Sequence, residues 1–183
     1  MDIDELRRCE LNGEAFELLF FGAQRPLPNG KIGTSCLSPL WLAPFEVDGD
    51  TYATAEHYVM VGKARLFGDE AMAAHILEAP APEEAIALGR EVRGFDRSTW
   101  MAARYDLIVA ANRAKFSLRP ELGVYLTHHT GQKILVHTNP GDLVWGIGLA
   151  SNDIRARSPI AWPGKNILGF ALMHVRDELR CLA

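Results

Sequence analysis

No Cys-x-x-Cys pair occurs in this chain of 183 residues, and its three cysteines, Cys9, Cys36 and Cys181, lie far apart. That spacing argues against both a zinc site and a disulfide framework, and for free thiols in a reducing compartment. Positive charge is not in excess: 19 Lys and Arg stand against 23 Asp and Glu, a net charge of −4. That balance argues against broad binding to nucleic-acid backbones, which needs a cationic surface, but does not exclude a small site that reads one nucleotide. Long apolar runs are missing too. The strongest early one, Leu18 to Phe21, is far too short to cross a bilayer. The opening Met1-Asp2-Ile3-Asp4-Glu5 is acidic and has neither the basic region nor the apolar core of a secretion signal. A cytoplasmic enzyme or binding protein with no membrane partner is expected.

What is present is ordinary globular chemistry, 48% hydrophobic and 23% charged, without internal repeats, low-complexity tracts or an obvious linker. The expected architecture is α+β: one compact, mainly helical domain over 15–183 with a few short strands and a hairpin, after a loosely held polar lead-in over 1–14. Phe16 to Gly22 reads as a buried strand, and the Pro-, Asn- and Gly-rich stretch Gln24 to Gly30 as a loop. Asp48-Gly49-Asp50 between Phe45-Glu46-Val47 and Thr51-Tyr52 signals a hairpin. Thr54 then caps a helix from Ala55 to Leu66 that stops at Phe67-Gly68. A second helix runs from Asp69 through Leu77, and Pro82 opens a third through Ala85, Leu88 and Val92. The longest spans about Ser98 to Phe116, and Pro120 opens a short one reaching about Thr127. Lys133 to His137 reads as a strand, and Asn166 as the N-cap of a last helix carrying Leu168, Leu172, Met173, Val175 and Leu179.

Several familiar motifs fail on inspection. Gly146-Ile147-Gly148 lacks the third glycine of a dinucleotide fingerprint. His128-His129 are adjacent, so they do not share a helix face as a metal pair would. Neither a Gly-x-Ser-x-Gly elbow nor a phosphate-cradling Walker loop occurs. No metal and no cofactor is called for. Three clusters remain. Glu56 lies in the first turn of its helix, where free N–H groups and the helix dipole favour a carboxylate, and Lys63 follows seven residues later on the same face with Met60 between. The plain alternative is ordinary helix-end chemistry. Asp142-Leu143-Val144-Trp145-Gly146-Ile147-Gly148 sets a carboxylate, an indole able to stack on a base, and two permissive glycines within seven positions. The plain alternative is a tryptophan that anchors a loop. Lys165-Asn166 at a helix start offers N–H groups and a cation to a phosphate, or is simply a cap beside a surface lysine.

Taken in order, these pieces resemble the NADAR/YbiA-like family from about Phe20 to Leu179. The residues that carry the resemblance are Pro44-Phe45-Glu46-Val47-Asp48-Gly49, Tyr52-Ala53-Thr54-Ala55-Glu56-His57-Tyr58, Lys63, Leu88-Gly89-Arg90, Ala114-Lys115-Phe116 and Thr130-Gly131. Asp142-x-x-Trp145-Gly146-x-Gly148, Asn166-x-Leu168-Gly169 and Leu172-Met173-x-Val175-Arg176 complete the set. Where many members read Phe-Ser-Asn-Phe, this chain has Leu37-Ser38-Pro39-Leu40, and Val59-Met60-Val61-Gly62 stands where relatives often carry Gln and Phe. An added segment from Ala150 to Pro163 is expected to cover a pocket.

The resemblance implies an N-glycosidase. Its substrates would be ribosylamino-pyrimidine phosphates of early riboflavin synthesis, or ADP-ribose on guanine, with ADP-ribosylated DNA as a partner in the second case. It implies Glu56, Asp142 and Lys63 as catalytic residues. Trp145, Gly146, Gly148, His57, Arg90, Lys115, Lys165 and Asn166 would bind substrate. Breaking a C1′–N bond develops oxocarbenium character on the ribose, which nearby carboxylates stabilise. The rival reading is a non-catalytic module that binds ADP-ribose or another NAD-derived nucleotide; the presence of both Glu56 and Asp142 favours the enzyme.

Overall fold

A computed structural model describes residues 1–22 and 31–182; the expected loop from Gln24 to Gly30 lies outside them. Seven α-helices and four short strands are present among the described residues. They fall into two compact units, one made by residues 39–123 and the other by the two flanking stretches, 1–38 and 124–183.

The unit over 39–123 is built around a helix. Strands β2 (Phe45–Val47) and β3 (Asp50–Tyr52) pair antiparallel. Asp48 and Gly49 both take positive φ, 53° and 85°, the two-residue turn whose twist suits a hairpin. Four helices follow: α2 (Ala55–Leu66), α3 (Glu70–Leu77), α4 (Pro82–Arg90) and α5 (Arg97–Ser117). Helix α2 packs against the other three, which explains why apolar residues appear around much of its circumference: Ala55, Val59, Met60, Val61 and Ala64 are all buried. Local chemistry sets its boundaries. Thr54 accepts a hydrogen bond from the His57 N–H at the start, and Gly68 takes φ of 70° just past the end.

Asp69 closes the next junction. Its Oδ1 accepts from the Met72 N–H at the start of α3 and from Arg93, while Oδ2 accepts from both the backbone N–H and Nε of Arg93. The Arg93 guanidinium holds its carboxyl far below the usual carboxylate range. A carboxylate depressed in the folded state contributes stability above its unfolded pKa, and loses it as pH falls through that value towards the folded one. Asp69→Asn is therefore expected to lower the Tm by several degrees at neutral pH. Thermal melts at decreasing pH should show the gap from the unsubstituted protein narrowing below the ordinary carboxylate value.

The other unit carries the parallel pair. Strands β1 (Leu18–Phe21) and β4 (Ile134–His137) align Leu18 with Ile134 and Phe21 with His137. Helix α7 (Ile167–Cys181) packs on β4; Leu168, Leu172 and Val175 of the helix and Leu135 and Val136 of the strand are all buried. Helix α6 (Pro120–Val124) stands at the sequence boundary and gives way to a wider π-helical turn over Tyr125–His129, short of the single helix expected to reach Thr127.

One expectation changes here. The stretch read as a loose lead-in contains α1 (Ile3–Leu11), capped by Asp2 and pinned by Leu6, which is fully buried. Arg7 donates to the carbonyls of Pro159 and Trp162. The 150–163 segment, expected to cover a pocket, is anchored in this unit through Trp162. Trp162 is 2% exposed, and its indole N–H donates to the Ala156 carbonyl.

Candidate active site

In the unit over 39–123, Glu56 stands half-buried in the first turn of α2. Its backbone N–H donates to the Pro39 carbonyl at 3.0 Å. The Thr54 cap fixes the same turn, so the side chain projects from a backbone with little freedom. His57 contributes to that rigidity. Nε2 lies 3.1 Å from the Ala79 carbonyl and Nδ1 2.8 Å from the Thr54 hydroxyl. A carbonyl only accepts, so Nε2 carries the hydrogen and Nδ1 accepts from Thr54. With both ring nitrogens engaged and 1% exposure, His57 fastens α2 to the α3–α4 turn. It has no nitrogen left for substrate, contrary to the expected binding role.

Lys63 occupies the other end of the same helical face. Its Nζ donates to the Gly89 carbonyl at 2.6 Å and lies 4.6 Å and 5.6 Å from the ring centres of Phe95 and Trp100. Burial pushes its pKa down. The intervening Met60 packs onto Gly89 so closely that any β-carbon there would collide with its sulfur. Gly89 thus admits one side chain of α2 while its carbonyl receives another. Arg90, next in α4, is exposed. Lys115 is not: it is fully buried near the end of α5, with Nζ 5.0 Å from the Phe116 ring.

The second group lies in the other unit, on the loop after β4. Asp142 turns this loop: its Oδ1 accepts from the N–H groups of Val144 and Trp145 at 3.0 and 2.9 Å. Trp145 is half-buried. Gly146 was expected to let a ligand approach the backbone, but the space belongs to the protein. A β-carbon there would sit 2.8 Å from the His137 carbonyl and 3.1 Å from His137 Nδ1. Gly148 takes φ of 76°, a turn requirement of the same loop.

Asn166 also departs from expectation. It takes left-handed φ of 52° and makes no capping bond. Instead its amide ties the strand, accepting from the His137 N–H and donating to the Leu135 carbonyl, both at 2.9 Å. The N–H groups of Ile167 and Leu168, expected to be free for phosphate, donate to the Val144 and Trp145 carbonyls. Lys165 alone of this cluster is exposed. The residue that sequence reasoning passed over is His137, buried at the end of β4 with its Nδ1 3.9 Å from Asp142 Oδ2. Nothing local marks it, since the histidine simply ends an apolar strand.

A family model for the NADAR domain matches residues 22–180. The chain belongs to the NADAR domain family. N-glycosidase R617 of Acanthamoeba polyphaga mimivirus is 40% identical to it over 127 residues, spanning 69% of this chain and 74% of that protein. N-glycosidase YbiA of Shigella flexneri serotype 5b is 33% identical over 136 residues, 74% of this chain and 76% of that one. The NMR structure of Escherichia coli YbiA aligns over 91% of this chain and 86% of its own, with a TM-score of 0.71 at 27% identity. This NADAR chain therefore has the mainly helical, few-stranded fold that its sequence led us to expect, and no described helix is long and apolar enough to cross a membrane.

Proposed function

We propose that this protein hydrolyses the C1′–N bond joining ribose to a base, with Glu56 as the carboxylate that activates water and stabilises the oxocarbenium-like transition state. Membership of the NADAR family, with relatives named N-glycosidases at 33–40% identity, makes the chain an N-glycosidase in general terms. The observation that carries the finer reading is the placement of Glu56: a half-buried carboxylate on a first helical turn whose backbone is held by Thr54 and Pro39. A base that is fixed before substrate arrives spends little energy on reorganisation.

In the reaction, water oxygen bonds to C1′ as the C1′–N bond breaks, the water proton passes to Glu56, and the departing nitrogen takes a proton. Lys63 has two roles open to it, tuning Glu56 by charge or condensing with ring-opened ribose. The burial that lowers its pKa weighs towards the second. In the other unit, Asp142 is assigned to the ribose hydroxyls or to the departing nitrogen, Trp145 to the base, and Lys165 to phosphate. Arg90 and Lys115 keep binding assignments only through the family motifs. Each assignment stands on its own residue and is tested by its own variant.

Two substrate classes follow from the resemblance: ribosylamino-pyrimidine phosphates, and ADP-ribose attached to guanine, free or in DNA. Incubation with one of each, followed by chromatography of the released base, is expected to show multiple turnovers on at least one. Tight binding of ADP-ribose by calorimetry, with no base released from either, would replace this reading with that of a nucleotide-binding module.

A further inference from the structure

Among the described residues, His137 is the one buried imidazole with a nitrogen that has no hydrogen-bond partner. Its ring packs against Phe21 of β1, centre to centre 5.3 Å at 30°. Its backbone is held on both sides, the N–H donating to Asn166 Oδ1 and the carbonyl accepting from the Ile147 N–H. The residue is 8% exposed, and Nδ1 is buried without a hydrogen-bond partner. A buried polar atom left unpaired costs roughly 1–3 kcal/mol, so its presence in so firmly held a ring calls for a reason. The nearest candidate is Asp142. Oδ1 of that carboxylate is committed to the Val144 and Trp145 N–H groups, while Oδ2 lies 3.9 Å from Nδ1. That distance is too long for a hydrogen bond and short enough to close with a small movement of the loop. Gly146 keeps the approach clear, because a side chain there would press on Nδ1.

We propose that His137 is a positioning residue for Asp142: a proton on Nδ1 is shared with Asp142 Oδ2, and the pair supplies the proton that the departing base nitrogen takes up. This rests on the assignment of Asp142 to that nitrogen. Nδ1–H passes its proton to Asp142 Oδ2, and the imidazolium becomes neutral imidazole. As the C1′–N bond breaks, its electron pair goes to nitrogen, which takes that proton from Oδ2 and leaves Asp142 a carboxylate; the pair later recovers one proton from solvent.

The groups facing the ring give the proton a defined pH range. Phe21 on β1 and the Asn166 amide beside α7 carry no charge. From the loop, Asp142 and the Trp145 backbone favour the protonated ring, but burial outweighs them and pushes the imidazole below its ordinary value. The imidazole therefore loads only on the acid side of its ordinary value.

The test joins NMR to kinetics. Two-bond 1H–15N spectra of the full chain, taken across a pH titration, are expected to show His137 protonating on Nδ1. In Asp142→Asn, which keeps an oxygen to accept the two turn N–H groups, the midpoint should fall by about half a pH unit or more. On whichever substrate is turned over, kcat should fall as pH rises through that midpoint. His137→Gln should lose the pH-dependent fall, with kcat about tenfold lower and KM within about twofold. An unmoved midpoint in Asp142→Asn, or a profile of His137→Gln that superimposes on that of the unsubstituted protein, overturns the pairing while leaving the glycosidase reading in place. A coupled midpoint in a protein that turns over neither substrate removes the glycosidase reading, and proton delivery with it, and leaves the contact between the two side chains.

Discussion

Glu56→Gln is expected to lower kcat for base release by about 10³-fold, within the range for loss of a general base, with little change in KM and a Tm within about 2 °C of the unsubstituted protein. The substitution keeps the length and shape of the side chain and removes its capacity to take a proton. Three contacts hold the turn through other atoms: the Thr54 hydroxyl caps the His57 N–H, the Pro39 carbonyl receives the backbone N–H of residue 56, and His57 reaches across to Ala79. These three persist in the variant. A 10³-fold loss corresponds to about 4 kcal/mol of transition-state stabilisation, too large to arise from a slightly misplaced substrate with unchanged KM. Single-turnover assays alongside thermal melts separate the possibilities. Full activity with an unchanged Tm takes Glu56 out of the mechanism. Lost activity with a collapsed Tm assigns it to the fold.

The place of Glu56 on a first helical turn was legible because its surroundings are local. A Thr two residues before a Glu, at the start of a periodic run, fixes a helix start whatever the rest of the chain does, and the same holds for Asp69 before α3 and Pro82 in α4. The hairpin was legible for the same reason, through Asp48-Gly49. Reading weakened wherever the cause is tertiary. Helix α1 is mostly polar and fully buries a single residue, Leu6, with Ile3 and Cys9 half-buried beside it, so its apolar stripe is narrow, although Asp2 accepts from the Glu5 N–H as an N-cap should. His57 looked like a site residue because it follows Glu56, but its ring nitrogens are used up by groups three and twenty-two residues away. The pairing of β1 with β4 joins positions more than a hundred residues apart, and His137 meets Asp142 only because the loop after β4 folds back on the strand. No spacing rule connects a strand-ending histidine to an aspartate in the next loop.

Asn166→Ala is expected to cost about 3–6 kcal/mol, from two buried groups left unpaired and a left-handed backbone that alanine adopts with strain. The sequence reads the asparagine as a helix cap at a phosphate site, and its geometry says otherwise: it is fully buried, with φ of 52°, and both ends of its amide are spent on β4. Removing it strands the His137 N–H and the Leu135 carbonyl on the strand that α7 covers. For a chain of this size that cost lowers the Tm by about 10–20 °C, a large part of the stability of an ordinary domain. Asn166→Gly separates the two contributions, since glycine accepts the backbone angle and still loses both bonds; it should recover only the strain. Neighbouring Gly169 makes the region intolerant of added bulk, because any β-carbon there would run into the Leu135 carbonyl and the Asn166 amide itself. Exposed Lys165 supplies the contrast, for Lys165→Ala should leave the Tm within about 1 °C and act, if Lys165 meets phosphate, on KM. Denaturant melts and KM values for the three variants decide the matter. A raised KM at full stability in Asn166→Ala would return the residue to the ligand, whereas lost stability with unchanged KM in the folded fraction keeps it where its hydrogen bonds put it, as the tie between β4 and the start of α7.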